Sequence, residues 1–459
     1  MENIENKELL EAQNRLDEHL SSLNKEELSP DDIAECLKIL KKEDEDLYYK
    51  YLHKLDLESL STSAIEMPEH MLKDVLENIP KEKLVNAIEE LESDDQFELL
   101  DYIKDIDEIK AKTIFNELDD EDKKDILKLS AYKDDEAGSY MQLEVFKANL
   151  NETVMEAVDR LRDLRHSGEI EMAYQLCAVD EKGVLKYCIP LSDLIIYNFS
   201  LTIDEVVKSA KPDAFKPKFA LDTDKISDVA ILFQDFDLSV LPVVDKNGIL
   251  LGRITPDDIH DFVRESATEQ IYNLVGVDDE VEEDDYGALK ASKSRAVWLG
   301  FNLITAFLSS FIIGIFDSTI ESFVALAVLM PIVASLGGNT GSQALTVTVR
   351  RLALGDIEFK DAKKVIKKEF TISLINGITF AFLVGIIAYI WFNKPMLGVV
   401  IFLAMFITLG CAGLLGAIIP LTLKKFNIDP AVGSSVILTA GTDIIGFFSF
   451  LALASWILL

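Results

Sequence analysis

Five apolar runs follow residue 295: roughly 296–316, 322–349, 370–392, 397–423 and 431–459. Each is long enough to cross a bilayer, which takes about 20 predominantly apolar residues. The expectation is five membrane helices, because a helix satisfies its own backbone polar groups in lipid. Basic residues in the short loops set the orientation. Lys290, Lys293 and Arg295 precede the first run. Arg350, Arg351, Lys360, Lys363, Lys364, Lys367 and Lys368 lie between the second and third, and Lys424 and Lys425 between the fourth and fifth. The opposite loops carry Lys394 alone. A multi-pass protein of the cell (inner) membrane is expected, with a cytoplasmic N-terminus and the C-terminus outside.

Composition divides the chain near residue 290. The first 289 residues hold 72 of the 80 acids and 32 of the 45 bases, a net charge of −40. The remainder has a net charge of +5. So acidic a soluble part counts against nucleic acid and anionic lipid as partners; it fits cation binding or plain acidic solubility. Cys36, Cys177, Cys188 and Cys411 form no CxxC pair and have no His/Cys cluster beside them. They read as buried apolar residues in a reducing compartment, with neither a zinc site nor a disulfide framework. "MENIENKELLEAQ" has no basic n-region and no apolar h-region, so no cleaved signal peptide is expected.

Residues 1–133 are charged, with apolar positions spaced by three and four. Leu84, Ile88 and Leu91 share one helix face. Turn residues at Ser29-Pro30, Pro80 and Ser93-Asp94 suggest a superhelix of short hairpins. "VDEKGVLKYCIPLSDLI" (179–195) and "VDKNGILLGRITPDDIH" (244–260) match at an offset of 65 residues. Each copy reads strand, Asp-x-x-Gly turn, strand, then a helix capped by Ser or Thr. Two copies of one small α/β unit are implied, and the pattern resembles a tandem CBS pair, either sensory or purely a dimerisation unit. From residue 265 to about 291 the pattern is helical, with an acidic break at "VDDEVEEDDYG".

Asp443, in "GTDIIGFF", is the only acid read as lying well inside a run, with no Lys, Arg or His at comparable depth. A carboxylate there costs about 2.5–3.5 kcal/mol on insertion scales. It is either a protonated acid bonded to a neighbouring helix or a cation ligand on an aqueous path. Small and hydroxyl residues flank it: Gly433, Ser434, Ser435, Thr439, Gly441, Thr442 and Gly446. In the second run, Pro331, Gly337, Gly338 and Gly341 either loosen the helix and free carbonyls or serve as packing surfaces. Asn339 and Gln343, four apart, put two amide oxygens on one face. Carboxylate, amide and backbone oxygen suit Mg²⁺ or Ca²⁺ over zinc or copper. One Asp per subunit at a two-fold axis would give a Mg²⁺ site of this kind.

"LGGNTGSQA", "DPAV" followed fourteen residues later by Asp443, the tandem repeat and "DDEAGSYM" (Asp134–Met141) together resemble the MgtE family of Mg²⁺ channels and transporters. The resemblance covers nearly the whole chain. It implies a multidomain membrane protein: a cytoplasmic α-superhelical N domain (1–133), CBS (α/β) units at 134–200 and 201–263, a connecting (plug) helix at 264–292, and a transmembrane domain of five α-helices at 293–459. It also implies a homodimer with a pore on the two-fold axis, in which Asp443, Gly338, Asn339, Gln343 and Thr439 meet the transported Mg²⁺. Regulatory Mg²⁺ is expected at Asp94, Glu98, Asp224, Asp237, Asp258, Asp261, Glu269 and Asp429. Where the family has further acids, this chain has Ser63, Ile226, Ser266 and Gln270.

The resemblance further implies that Mg²⁺ closes the pore by neutralising acids that otherwise repel. Gln175, Ser192 and Leu238 stand where an aromatic, an arginine and an aromatic are expected, although Asp193 remains. These losses count against ATP as a ligand. Two alternatives differ in kind: a secondary transporter of another divalent cation, and a membrane-anchored metal sensor. No nucleophile–base set or phosphate loop suggests an enzyme.

Overall fold

The computed structural model describes residues 2–21, 28–170, 172–277, 288–355, 357, 359–426 and 428–459. The expected acidic break begins at Val277 and otherwise lies outside the described residues. The chain forms two compact units, Met1–Val263 and Arg264–Leu459.

The first unit opens with short helices: α1 (Glu2–Leu20), α2 (Pro30–Glu43), α3 (Glu45–Lys54), α4 (Leu57–Ile65), α5 (Glu69–Asn78), α6 (Lys81–Glu89), α7 (Ser93–Ile106), α8 (Glu108–Glu117) and α9 (Asp120–Leu129). Side-chain caps set many of their starts. Ser29 accepts from the Asp32 N–H with Pro30 in the first turn, and Asp44, Asp56, Asp107 and Asp119 cap α3, α4, α8 and α9. Each cap satisfies an N–H that the helix leaves open. The sequence periodicity is realised: Leu84, Ile88 and Leu91 are all buried in one apolar core.

Two three-stranded sheets follow. The first is β1 (Lys147–Asn149), β2 (Gln175–Val179) and β3 (Leu185–Pro190); the second is β4 (Ala220–Leu221), β5 (Leu241–Val244) and β6 (Leu250–Ile254). In each, a parallel pair is followed by an antiparallel hairpin. The repeated Asp-x-x-Gly stretch is that hairpin turn. Asp180 Oδ1 accepts from the N–H groups of Lys182 and Val184, and Asp245 Oδ1 from those of Asn247 and Ile249. Gly183 and Gly248 take φ of +79° and +80°, a conformation that a Cβ disfavours.

The helices of this region are α10 (Val154–Ser167), α11 (Leu191–Leu194), α12 (Ile203–Ser209), α13 (Ile226–Phe236) and α14 (Pro256–Val275). The expected Ser cap after the first copy is not formed: Ser192 lies inside α11, and Pro190 precedes it without a side-chain bond. The two α/β repeats of the first unit also exchange flanking segments. Ile203, Val206 and Phe215 fill the core of the first sheet, while Ala137 and Met141 fill that of the second. A repeat search detects the matched hairpins and not this exchange.

The second unit contains α15 (Ala288–Ile315), the short α16 (Asp317–Ser322), α17 (Ala325–Ala353), α18 (Ala362–Phe392), α19 (Pro395–Lys425) and α20 (Ser434–Leu458). Five of these are long and apolar enough to cross a membrane, at Ala291–Ile315, Ala325–Ala353, Ala362–Phe392, Pro395–Lys425 and Ser434–Leu458. This is a multi-pass membrane unit. α19 packs against α17, α18 and α20, and α15 against α20. Lipid supplies no hydrophobic drive between helices, so small residues that let backbones approach carry the packing. At Gly416 a Cβ would lie 2.5 Å from the Gly341 oxygen and 2.8 Å from Ala344 Cβ. Gly416→Val is therefore expected to destabilise the membrane unit by about 1–3 kcal/mol. Thermal unfolding in detergent checks this; an unchanged midpoint would contradict the close approach.

Candidate functional site

The residues read as meeting a transported cation lie on α17 and α20. These helices run antiparallel at close range. A Cβ on Gly341 would sit 2.8 Å from Leu438, and one on Gly446 3.3 Å from Val333; Gly337 lies between Thr408 and Thr442. That register places Asp443 level with Leu336. Gly338 and Asn339 follow within a turn along α17, and Gln343 about 10 Å along the axis from Leu336. Asn339, Gln343 and Thr439 are exposed on the single chain, and Gly338 and Asp443 are half-exposed. Among the described residues, the Asp443 carboxylate has no hydrogen-bonding or ionic partner. The reading of a protonated acid bonded to a neighbouring helix thus finds no partner within the described chain. An unpartnered carboxylate cannot face hydrocarbon without cost, so the surroundings of Asp443 are water or protein.

The structure decides between the two readings of the second run. α17 continues as one helix through Pro331 and its glycines. Gly337 and Gly341 are packing surfaces; at Gly338 alone of the three is there open space. Ser434 and Thr442, among the hydroxyl residues that flank Asp443, are both buried, and their hydroxyls donate to the Pro430 and Thr439 carbonyls. The sequence reading also missed Glu369, placed just before the third run. It lies within α18 at 6 % exposure, its carbonyl 3.2 Å from where a Gly413 Cβ would be.

The acids expected to regulate fall into separate groups. Asp94 and Glu98 on α7 and Asp258 and Asp261 on α14 come together within the first unit, where each feels the field of another. Asp95, Glu92, Glu144 and Asp257 add to this field, and sequence reasoning had not singled them out. Asp258 also accepts from the N–H and hydroxyl of Thr255 at 3.1 and 2.7 Å, and Glu98 from the Tyr102 hydroxyl at 2.8 Å. Asp94 is 6 % exposed, and neither of its carboxylate oxygens has a hydrogen-bond partner. Leaving such a group unsatisfied is costly, the more so when charged. Arg253 is the buried cation nearby. It pairs with Glu92 at 3.2 Å, donates to Gln142 Oε1 at 2.9 Å and donates to the Met172 carbonyl.

Burial, then neighbouring negative charge, raises these carboxyls. Asp94 is pushed well above the usual range and Glu98 is raised, Asp95 is pushed up to about 8, and Asp258 up to about 7. Acids that hold protons more tightly in the folded unit make it more stable as pH falls. The penalty is complete above about pH 8, shrinks as pH falls through Asp95 and then Asp258, and is gone below the free carboxylate value of about 4. The cation-free protein is therefore expected to melt at higher temperature at pH 6 than at pH 8. Calorimetry with a chelator present checks this; a flat or opposite trend would show that the cluster opens to water.

Asp224 and Asp237 stand apart from this cluster. Asp224 Oδ2 accepts from the Leu221 N–H at 2.8 Å and its carbonyl from Ala137 at 2.7 Å, a turn-holding role. Asp237 ends α13 with φ of +48°. Glu269 and Asp429 belong to the second unit, where Asn273 donates to both, at 3.1 and 3.3 Å. Asn273 is a polar link that the acid search passed over. Of the departures, Ser63 and Ile226 are buried in cores, and Gln270 bonds Ser266 at 3.3 Å. Among the described residues, no three His, Cys, Asp or Glu side chains form a ready-made metal shell. The Asp94 cluster still suits a hard cation that keeps much of its water, because it offers orphaned carboxylate oxygens and no soft donor.

Residues 330–453 match the family described as Divalent cation transporter, 28–135 the MgtE intracellular N domain, and 214–265 the CBS domain. A magnesium transporter MgtE from Thermus thermophilus is 32 % identical over 369 residues, which are 80 % of this chain and 79 % of that protein. One from Bacillus subtilis is 28 % identical over 432 residues, 94 % and 92 % of the two chains. Among solved structures, the cytosolic domain of the Mg²⁺ channel MgtE in complex with ATP is similar at 28 % identity and a TM-score of 0.46, over 51 % of this chain and 91 % of that one.

Proposed function

Because the chain belongs to the MgtE family of magnesium transporters, which are not enzymes, we propose that it is a Mg²⁺-selective channel, a homodimer of the inner membrane, closed by Mg²⁺ on its cytoplasmic face. The observation that carries the reading is the half-exposed Asp443, which has no partner among the described residues. A carboxylate oxygen suits a Mg²⁺ that dehydrates reluctantly and keeps several waters. Two copies of Asp443 at a two-fold axis repel each other, and a divalent cation between them relieves that repulsion. The basic loops support a cytoplasmic N-terminus and an outer C-terminus.

Regulation rests on Asp94, Glu98, Asp258 and Asp261, with Asp95 added. Bound Mg²⁺ would neutralise these acids and favour the compact first unit, in which α7 and α14 lie together. The change travels to the membrane along α14. Glu269 and Asp429 take part through Asn273, and Asp224 and Asp237 hold separate, weaker sites. In liposomes, Mg²⁺ flux down its own gradient, without Na⁺ and at constant pH, tests the channel reading. Flux that requires a proton or Na⁺ gradient would make it a secondary transporter, and no flux at all would leave a sensor.

ATP is not expected to take part. Gln175 and Arg253 line a cavity of about 10 Å³, room for about one water. Millimolar ATP should leave the melting temperature unchanged; a saturable rise would restore the nucleotide.

A further inference from the structure

Cys177 on β2 and Cys188 on β3 are direct cross-strand partners. The Cys177 N–H donates to Phe146 and the Cys188 N–H to Phe215, so neither donates to the other residue. They form a non-hydrogen-bonded pair, the position where opposed Cα atoms come to about 4.5 Å and side chains are closest. Disulfides span Cα separations of about 4.4–6.8 Å. Both side chains point into the seam between the two α/β units, in one apolar cluster with Leu185 and Val244. The offset of 65 residues maps them onto Pro242 and Arg253, which are themselves cross-strand partners. Cys177 lines the same small cavity as Arg253. Cys188 is mostly buried but partly exposed, and Cys177 is 2 % exposed.

We propose that Cys177 and Cys188 form a site of reversible oxidation, closed to a disulfide by exchange with a low-molecular-weight disulfide. Cys188, the more exposed of the two, loses its proton and attacks one sulfur of the oxidant, giving a mixed disulfide and one free thiol. Cys177 then loses its proton and attacks Cys188 Sγ, which forms the intramolecular bond and expels the second thiol. Two protein thiols are oxidised, and one oxidant disulfide is reduced to two thiols. A hydrogen bond with Cys177, together with burial, holds the Cys188 proton above the usual thiol range, so exchange is slow at neutral pH and speeds up with alkalinity.

The test uses the full-length protein in detergent, treated with oxidised glutathione, denatured, alkylated and mapped by mass spectrometry. Cys177 and Cys188 should escape alkylation together as one linked peptide pair that dithiothreitol reopens, while Cys36 and Cys411 remain alkylated. C177S should stop at a glutathione adduct on Cys188, and C188S should leave Cys177 reduced. A stable adduct on wild-type Cys188 with Cys177 still alkylated would overturn the proposal. So would two unreacted thiols under conditions that oxidise the denatured chain.

Discussion

Asp443→Asn is expected to lower Mg²⁺ flux through reconstituted protein by about 100-fold or more, with insertion and thermal stability retained. The Asn keeps the shape and loses the charge. Two unit charges about 4 Å apart attract by about 4 kcal/mol at an effective dielectric of 20, and each 1.4 kcal/mol is a factor of ten. A divalent ion that keeps its water sits farther away and carries twice the charge, so a loss of two or more decades follows. The substitution leaves the helix interface intact, because Thr442, Gly446 and Leu438 make the close contacts with α17 and α19. Radiotracer or fluorescent-indicator flux, paired with a melting curve, checks both halves. Wild-type flux in Asp443→Asn would remove the carboxylate from the ion path. A collapsed melting curve would make the residue structural.

The double substitution Asp94→Asn with Asp258→Asn should remove most of the Mg²⁺ dependence of the first unit. Asp94 is buried with neither carboxylate oxygen hydrogen-bonded among the described residues, and Asp258 heads the charges that act on it. Neutral amides at these two positions lower the repulsion that Mg²⁺ otherwise offsets. In the wild type, protease should cut the Mg²⁺-free protein faster than the Mg²⁺-loaded one. In the variant the two rates should converge near the slower, and the pH 6 to pH 8 stability difference should shrink. Moving a two-state equilibrium from 1:99 to 99:1 takes about 5.5 kcal/mol, so losing two central acids is enough to flatten the response. An unchanged Mg²⁺ midpoint for protection would place the regulatory cation elsewhere.

Much of this was legible in the residues before any coordinates. Run length and loop charge gave five spans, because lipid permits few other solutions. The Asp-x-x-Gly repeat gave two hairpins, because Asp180 and Asp245 each bond two N–H groups of a turn that needs Gly183 or Gly248. Asp443 was legible because a charge stands out against an apolar background. Two of the misses depend on which neighbour a residue meets. "GGNTG" is equally consistent with a loosened helix and a packed one until Leu438 and Thr408 are seen against Gly341 and Gly337. Asp95 is one of many acids in sequence, and only burial beside Glu98 and Asp258 sets it apart. Glu369 falls just outside the third run because hydropathy places helix ends by composition, whereas the α18 helix begins seven residues earlier, at Ala362. Asn273 carries no charge and gave no signal.

The most direct test of the central claim is Mg²⁺ flux through the full-length wild-type protein in liposomes. The only driving force is a Mg²⁺ gradient, and Mg²⁺ is titrated on the side that carries the first unit. The account predicts steady downhill flux at low Mg²⁺ on that side, falling steeply as Mg²⁺ there rises, with Na⁺ absent and pH equal across the membrane. Downhill flux that is indifferent to Mg²⁺ on that side, or no flux without a second ion gradient, would contradict it.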